Sequence, residues 1–360
     1  MKLLFVGTSR GGGGTESHFV TLSKAMHAAG HEVVAIIHPE SAIRKGLEGS
    51  GLLLHNGTFR NAFDPRGIRT VWRVCGEFKP DWIIGSFSKE YWPLALIAGL
   101  RNVKLALFKH MDFTMRPATH HFMPRLANRF IVISDFMRAQ FIARGIDPAR
   151  IQMLYNPLDT DYFHPDPDLR KTMRTKLGYN EKDVVVGFVG AMHPDKGMLP
   201  LAQALNEAMS VMPNIRALWV GEGRAENDLK SLIRNGGFEN HHVCQKWSPD
   251  VRPYYAAMDI LAVPTLVTET FGRVSIEAQA CGVPVLCSDL GGLPETMKPG
   301  STGHLLPVGD IRVWRDAILN LAKDDQLHQQ LRSKGYDWVS SKFSSNTIAK
   351  EFSYLLNDVH

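Results

Sequence analysis

The chain has 360 residues, 44% of them apolar, and a formal charge of +5. That length suits two domains or one large α/β unit, and that apolar content excludes wholesale disorder. The opening MKLLFVG is too short an apolar run for a signal peptide, and no stretch reaches the ~18 uncharged apolar residues of a spanning helix, so a cytosolic protein is expected.

The first half alternates strand and helix. Leu3–Val6 reads as a short buried strand, followed by a glycine turn at Gly11 to Gly14. A helix is expected from about Glu16 to Ala29, with Phe19, Leu22, Ala25 and Met26 on one stripe and Gly30 as its stop. Further strands are expected at Val33–Ile37, Asp81–Ile84, Lys104–Phe108 and Phe130–Ile133. Apolar strands between charged helices predict a parallel sheet covered on both faces, where ligands collect at the carboxyl ends. The turn-rich stretch Asn156–Pro165 reads as an interdomain linker. A second series follows, with strands at Val184–Gly190, Arg216–Val220, Asp259–Val263 and Val283–Leu286. An amphipathic helix from about Asn346 to Val359 closes the chain. It is either a simple terminal helix or one that returns to brace the first domain. The whole predicts two similar α/β domains facing across a cleft, a favoured place for a small-molecule site.

Charge is unevenly spread. Residues 60 to 145 hold 14 Lys or Arg against 6 Asp or Glu, a local net of +8. This is either a solvated basic face, or a surface that meets anionic lipid or phosphate. Trp72, Phe78, Trp82 and Trp92 interleave with it. No recognition motif for nucleic acid is present, and none is expected as a partner. Of the four cysteines, Cys75, Cys244, Cys281 and Cys287, none forms a C-x-x-C pair, and Cys281 and Cys287 read as core thiols. Fifteen histidines include no H-E-x-x-H, and His120–His121 and His241–His242 read as surface residues.

Four segments carry candidate chemistry. The glycines 11 to 14, between a strand and a helix, offer amides that approach an anion without side-chain obstruction; a merely flexible loop is the alternative. They lack the G-x-G-x-x-G spacing of a nicotinamide site, although Glu40 lies in range of the acid such a site needs. Lys196, in GAMHPDKG after a strand and before a helix at Leu199 to Met209, stands near free amides and suits a diphosphate, unless it is an ordinary solvated lysine. In TETFGRVSIEAQACGVPVLCSDLGGLPE, Gly272 permits a close backbone approach and a helix is expected at Arg273 to Ala280. Glu277, one turn into it, suits the two hydroxyls of a ribose, unless it pairs within its own helix. Glu269, before the turn, suits the hydroxyls of a sugar, since ionised carboxylates are pure acceptors. His110, at the end of a strand and two places before Asp112, faces either a ligand or the core.

These segments together resemble the family-4 retaining glycosyltransferases of GT-B fold, the glycosyl transferases group 1. The likeness runs over nearly the whole chain. It includes Gly13-Gly14-Thr15-Glu16, Val132-Ile133-Ser134, Asn156-Pro157-Leu158-Asp159, Gly190 through Lys196-Gly197, Gly221-Glu222-Gly223 and Tyr254 through Ile260. It is strongest at Glu269-Thr270-Phe271-Gly272 through Glu277, Gly282-Val283-Pro284-Val285 and Gly291-Gly292-Leu293-Pro294-Glu295.

The resemblance implies an acceptor-binding Rossmann-like domain over 1–158, joined by a C-terminal helix at 340–360, and a nucleotide-sugar-binding domain over 159–339. It implies transfer of a sugar from a nucleotide-sugar donor with retained configuration. His110 and Glu269 would be catalytic. Gly13, Gly14, Lys196, Gly272, Arg273 and Glu277 would bind donor. The nucleotide sugar is a substrate; no cofactor is expected, and metal independence is expected. The family often has an arginine directly after the glycine of the second-domain loop; here Ala191 follows Gly190, and His193, Arg224 or Arg273 would have to compensate. The acceptor expected is lipopolysaccharide, capsule or another lipid-linked envelope glycan, which would place the protein peripherally on an anionic membrane surface, the inner face of the plasma membrane. A small soluble acceptor is the alternative within the class. A non-hydrolysing sugar-nucleotide 2-epimerase shares the fold, but the Glu269 to Glu277 segment favours transfer. A non-catalytic binding module is opposed by His110, Lys196 and both glutamates.

Overall fold

The computed structural model describes residues 1–358. The chain divides into two compact units: Met1–Asp159 together with the chain from Phe343 on, and Thr160–Lys342. Unit 1 runs β1 (Lys2–Gly7), α1 (Gly14–Ala28), β2 (Glu32–Ile37), α2 (Ala42–Leu47), β3 (Leu53–Asn56), α3 (Pro65–Phe78), β4 (Trp82–Gly85), α4 (Tyr91–Arg101), β5 (Lys104–Lys109), α5 (Pro117–Leu126), β6 (Arg129–Val132), α6 (Asp135–Ala143) and β7 (Ile151–Met153). Unit 2 runs α7 (Pro167–Leu177), β8 (Val184–Val189), α8 (Met198–Val211), β9 (Ile215–Val220), α9 (Glu226–Gly236), β10 (His242–Gln245), α10 (Arg252–Ala257), β11 (Ile260–Val263), α11 (Arg273–Ala280), β12 (Val285–Ser288), β13 (Gly303–Leu306), α12 (Ile311–Lys323) and α13 (Asp325–Lys342). The last helix, α14 (Ser345–Asn357), belongs to unit 1.

Each unit is a parallel sheet. The orders are β3-β2-β1-β4-β5-β6-β7 and β10-β9-β8-β11-β12-β13. The central strands are apolar on both faces, as helix-covered parallel strands must be. Leu3–Val6 of β1 and Trp82–Ile84 of β4 are fully buried. In each sheet the strand order reverses once, between β1 and β4 and between β8 and β11, and open α/β sheets bind ligands outside the carboxyl ends at such a point. These are two Rossmann-like domains of the GT-B type. In unit 2 one carboxylate holds the two key strands side by side. Asp259, just before β11, accepts from the Val185 amide of β8 at 2.7 Å and pairs with Arg170 at 2.6 Å and Arg174 at 3.0 Å, both on α7.

The end of the chain returns to unit 1. The Leu158 amide donates to Phe343 O at 2.7 Å and the Ser345 amide to Leu158 O at 2.8 Å. On α14, Phe352 packs against Phe108 of β5, ring centroids 5.3 Å apart. The closing helix spans Ser345–Asn357; the expected end at Val359 lies outside the described residues. Residues 340–342 are the last of α13.

Several expectations need correction. β3, β7, β10 and β13 are additional strands, each of three or four residues with polar or glycine positions. Trp82 is no surface aromatic; it is buried in β4. His242 is no surface residue either. It accepts from the Trp219 indole at 3.1 Å and meets Asn206 at 3.1 Å, and burial lowers its pKa to about 4. Cys281 and Cys287, by contrast, are the core thiols expected, buried and pushed up to about 12 by desolvation.

Candidate functional site

Unit 2 gathers its candidate residues at the reversal between β8 and β11. Backbone contact between the loops after these strands makes this possible. Gly197 sits at φ +71°, and a Cβ there would fall 1.8 Å from the Pro264 carbonyl oxygen. Only glycine satisfies both demands. The Leu266 amide donates to Asp195 O at 2.8 Å and fixes the two loops to each other. The result brings Lys196 onto Glu269, which it pairs with directly. Both side chains keep part of their surface in solvent. The loop after β12 supports Glu269 from behind, with the Gly292 amide donating to Glu269 O at 2.8 Å.

Glu269 leads into α11. Its N-cap is Gly272, at φ +108°, and no side chain caps that end. A Cβ at Gly272 would lie 2.4 Å from Leu293 Cδ2, so the tight approach inferred from sequence is against the segment 293–296. Glu277, one turn in, is largely buried, its side chain 12% exposed. The Tyr255 hydroxyl donates to its Oε2 at 3.0 Å, and Arg273 pairs with its Oε1 at 3.2 Å. Burial pushes the Glu277 carboxyl up, while Arg273 and Tyr255 pull it down. Tyr255 is itself buried and held well above the ordinary phenol range, so it stays a donor. Below α11, Ser275 and Thr296 share a hydrogen bond of 2.8 Å, and the Gln279 amide donates to Thr296 O at 3.0 Å. These contacts fix the pitch of the helix that presents Glu277.

The three cations expected to compensate for the one missing beside Gly190 stand in different surroundings. His193 accepts from the Asp195 amide at 3.3 Å and lies 3.2 Å from the Asp195 carboxylate, so it caps its own turn. Arg273 pairs with Glu277. Arg224 is exposed, on a loop that lies against the segment after β8: the Ala225 amide donates to Met192 O at 3.0 Å, and the Met192 amide to Glu222 O at 3.0 Å.

Unit 1 holds the remaining candidates. Gly13 is the extended N-cap of α1, which begins at Gly14, and no side chain caps it. The glycine amides do not face an open space of positive potential alone. The Glu16 carboxylate stands over the loop, accepting from the Ser9 hydroxyl at 2.6 Å, and a Cβ on Gly13 would be 3.4 Å from its Oε2. His110 lies just past β5 and is 6% exposed. Its ring meets His18 of α1 edge-on at 4.5 Å and stacks along Phe108 at 5.9 Å. Asp112 pairs with Arg144 at 2.7 Å.

Three partners carry no local signal in the chain. Tyr255 of α10 and His18 of α1 are buried polar residues, and only the tertiary structure sets them against Glu277 and His110. Glu90, fully buried after β4, accepts from the Thr8 amide at 2.7 Å and the Thr8 hydroxyl at 2.6 Å, tying down the end of β1 where the glycine loop starts. Among the described residues no three His, Cys, Asp or Glu side chains gather into a group that would hold a metal.

The family model "Glycosyl transferases group 1" matches residues 170–338, and "Glycosyltransferase Family 4" matches residues 12–162. The chain is a GT-B-type glycosyltransferase related to these families. A relative from Mycolicibacterium smegmatis, the GDP-mannose-dependent alpha-(1-6)-phosphatidylinositol monomannoside mannosyltransferase, is 29% identical over 302 residues, 81% of this chain and 76% of that protein. The D-inositol 3-phosphate glycosyltransferase of Mycobacterium bovis is 30% identical over 255 residues, 67% of this chain; the match spans 52% of that enzyme, about half its length. Anabaena HepE, solved in complex with UDP-glucose, has the same fold, with a TM-score of 0.83 at 24% identity over 99% of both chains. The two family matches divide this glycosyltransferase much as its two units do, with Lys196, Glu269 and Glu277 in the group 1 part and Gly13, Gly14 and His110 in the family 4 part.

Proposed function

We propose that this glycosyltransferase moves a sugar from a nucleotide-sugar donor, with retained configuration, to a lipid-linked acceptor of the cell envelope, such as a lipopolysaccharide or capsule precursor. The observation that carries the reading is the meeting of Lys196 with Glu269 beside the uncapped N-terminus of α11, with Glu277 fixed one turn behind. Glu277, oriented by Tyr255 and Arg273, would accept the two hydroxyls of the ribose. Gly272 and the first amides of α11, with Lys196, would hold the diphosphate. Glu269 would then turn to the sugar hydroxyls. The nucleotide thus belongs to unit 2 and the acceptor to unit 1.

The chemistry asks for stabilisation of two opposite charges: positive on the anomeric carbon, negative on the departing diphosphate. Fixed dipoles and Lys196 serve the second. A donor phosphate oxygen taking the acceptor proton on the same face would give retention. His110, its ring set by His18, would serve the sugar side. Glu16 repels a phosphate from the Gly13–Gly14 amides, so these are read as meeting sugar hydroxyls rather than diphosphate. Lys196 pairs with Glu269, so donor binding would be an exchange in which phosphate replaces carboxylate on the lysine.

The envelope acceptor is supported by the M. smegmatis relative, a phosphatidylinositol monomannoside mannosyltransferase. A soluble acceptor is the second reading, favoured by the inositol phosphate enzyme. The donor is tested by saturation-transfer NMR with UDP-glucose, GDP-mannose and ADP-glucose, each against its bare nucleotide. One preferred donor with signals on its sugar ring is expected. Failure of every nucleotide to bind would refute the donor assignment. Conversion of a donor to its 2-epimer without acceptor would replace transfer with epimerisation.

A further inference from the structure

The outer face of α4 and α5 in unit 1 carries a feature that sugar transfer does not use. Trp92, Leu96 and Leu100 of α4 are all exposed, the two leucines at 57% and 66%. Their spacing of four places them on one stripe. Tyr91, Leu94, Ile97 and Ala98 hold the opposite face in the core. On α5, Phe122 and Leu126 are exposed one turn apart. The two stripes adjoin. The Trp92 and Phe122 rings meet edge to face at 6.2 Å, and the Trp92 indole donates to the Thr119 hydroxyl at 3.0 Å. At the other end of α4, the Arg101 guanidinium lies 3.8 Å over the ring of Trp72, an exposed residue of α3. The surface therefore continues onto a third helix.

A contiguous group of exposed large apolar side chains marks an interaction surface. Charge decides the occupant. Neither α4 nor α5 has an Asp or Glu. The three helices together carry Arg66, Arg69, Arg73, Arg101 and Arg125, and the single acid, Glu77, is paired with Arg73 at 2.9 Å. Against a second copy of this chain, a two-fold contact would set these arginines against one another. Against an anionic leaflet they face opposite charge. The leucines and Phe122 then enter the acyl boundary, and Trp92 lies at headgroup level, where indoles are favoured.

We propose that the exposed face of α3, α4 and α5 seats this glycosyltransferase on an anionic lipid bilayer. The proposal deepens the reading of a lipid-borne acceptor and rests on it for its purpose; the binding itself needs no acceptor. No helix of the described residues is long and apolar enough to cross a membrane, so the contact is with the surface.

The test is sedimentation of the full chain with vesicles of phosphatidylcholine, with and without phosphatidylglycerol, at low and high salt. Wild type is expected to pellet with the anionic vesicles at low salt and to be released by high salt. The double variant Leu96→Ser, Leu100→Ser is expected to bind about tenfold more weakly or worse, since two apolar anchors are lost. Arg66→Gln with Arg69→Gln is expected to weaken binding and flatten its salt dependence. All four positions are exposed, and unchanged circular dichroism and melting would verify folding. Wild type remaining in the supernatant, or the leucine variant binding as well as wild type, overturns the proposal. So does a wild-type dimer that the leucine variant dissolves. Vesicle binding absent while the donor still gives sugar-ring signals would sink the surface and leave the transfer reading standing; the reverse pattern would do the opposite.

Discussion

Replacing Glu90 by glutamine isolates one buried charge at the root of the glycine loop. Glu90 is fully buried, and burial raises its carboxyl from 4.5 to about 7, against the opposing effect of the Thr8 hydrogen bonds and nearby Lys89. The folded state therefore keeps a proton that the unfolded chain has lost between pH 4.5 and about 7. Over that window this group's contribution to stability falls as pH rises; it is complete below 4.5 and gone above about 7. The shift is worth on the order of 3 kcal/mol. Glutamine mimics the protonated acid: its oxygen still accepts from the Thr8 amide and hydroxyl, and it cannot ionise. Glu90→Gln should thus be close to wild type near pH 5 and more stable than wild type at pH 8. Hydrogen exchange of the β1 amides reads the stability of unit 1, with the β8 amides as an internal reference for unit 2. His31, His38 and His55, each lowered by burial, oppose the trend by adding stability as pH rises. They are common to both proteins and cancel in the difference. A wild-type minus variant difference that stays flat between pH 5 and 8 would refute the reasoning.

In unit 2, Glu269→Gln frees Lys196 from its competing carboxylate. Bare UDP or GDP, whichever binds, should then bind severalfold more tightly, by about 1 kcal/mol for a part-exposed pair, while turnover falls; isothermal titration showing weaker nucleotide binding would remove the proposed exchange. Lys196→Met should lower kcat by about a hundredfold, the scale of losing one donor to a developing anion, and a rate near wild type would end its assignment to the leaving group. Tyr255→Phe leaves one lone pair of buried Glu277 without its donor. A loss of about 1–2 kcal/mol in unit 2 stability is expected in denaturant titration, together with weaker nucleotide binding. Gly197→Ala forces a Cβ onto the Pro264 carbonyl at a positive φ. It should destabilise unit 2 by about 1–3 kcal/mol and weaken donor binding, and an alanine variant with unaltered melting and binding would contradict the loop geometry.

What could be read in advance follows from how far each signal reaches along the chain. β1, β2, β5, β8 and β9 announce themselves because a strand buried on both faces must be apolar throughout. β3, β10 and β13 do not. Leu53–Asn56, His242–Gln245 and Gly303–Leu306 lie on the sheet edges, pair on one side only, and tolerate polar or glycine positions. Gly272 and Glu277 were placed by local logic, a glycine entering a helix and an acid one turn on. One partner of Glu277, Tyr255, comes from another helix, whereas the other is local. Arg273, expected to serve donor phosphate, faces Glu277 four residues later, where helix geometry alone makes the pair available. Lys196 and Glu269 are separated by a βα series that contains three whole strands, β9, β10 and β11. They meet because β11 crosses back to lie beside β8 rather than beside β10. The loops after two adjacent parallel strands must emerge at the same end of the sheet. Had β11 paired with β10, two strands would separate the lysine from the glutamate, and neither would find the other. The pairing is thus a property of sheet order, and sheet order is what the spacing of residues in one sequence does not encode.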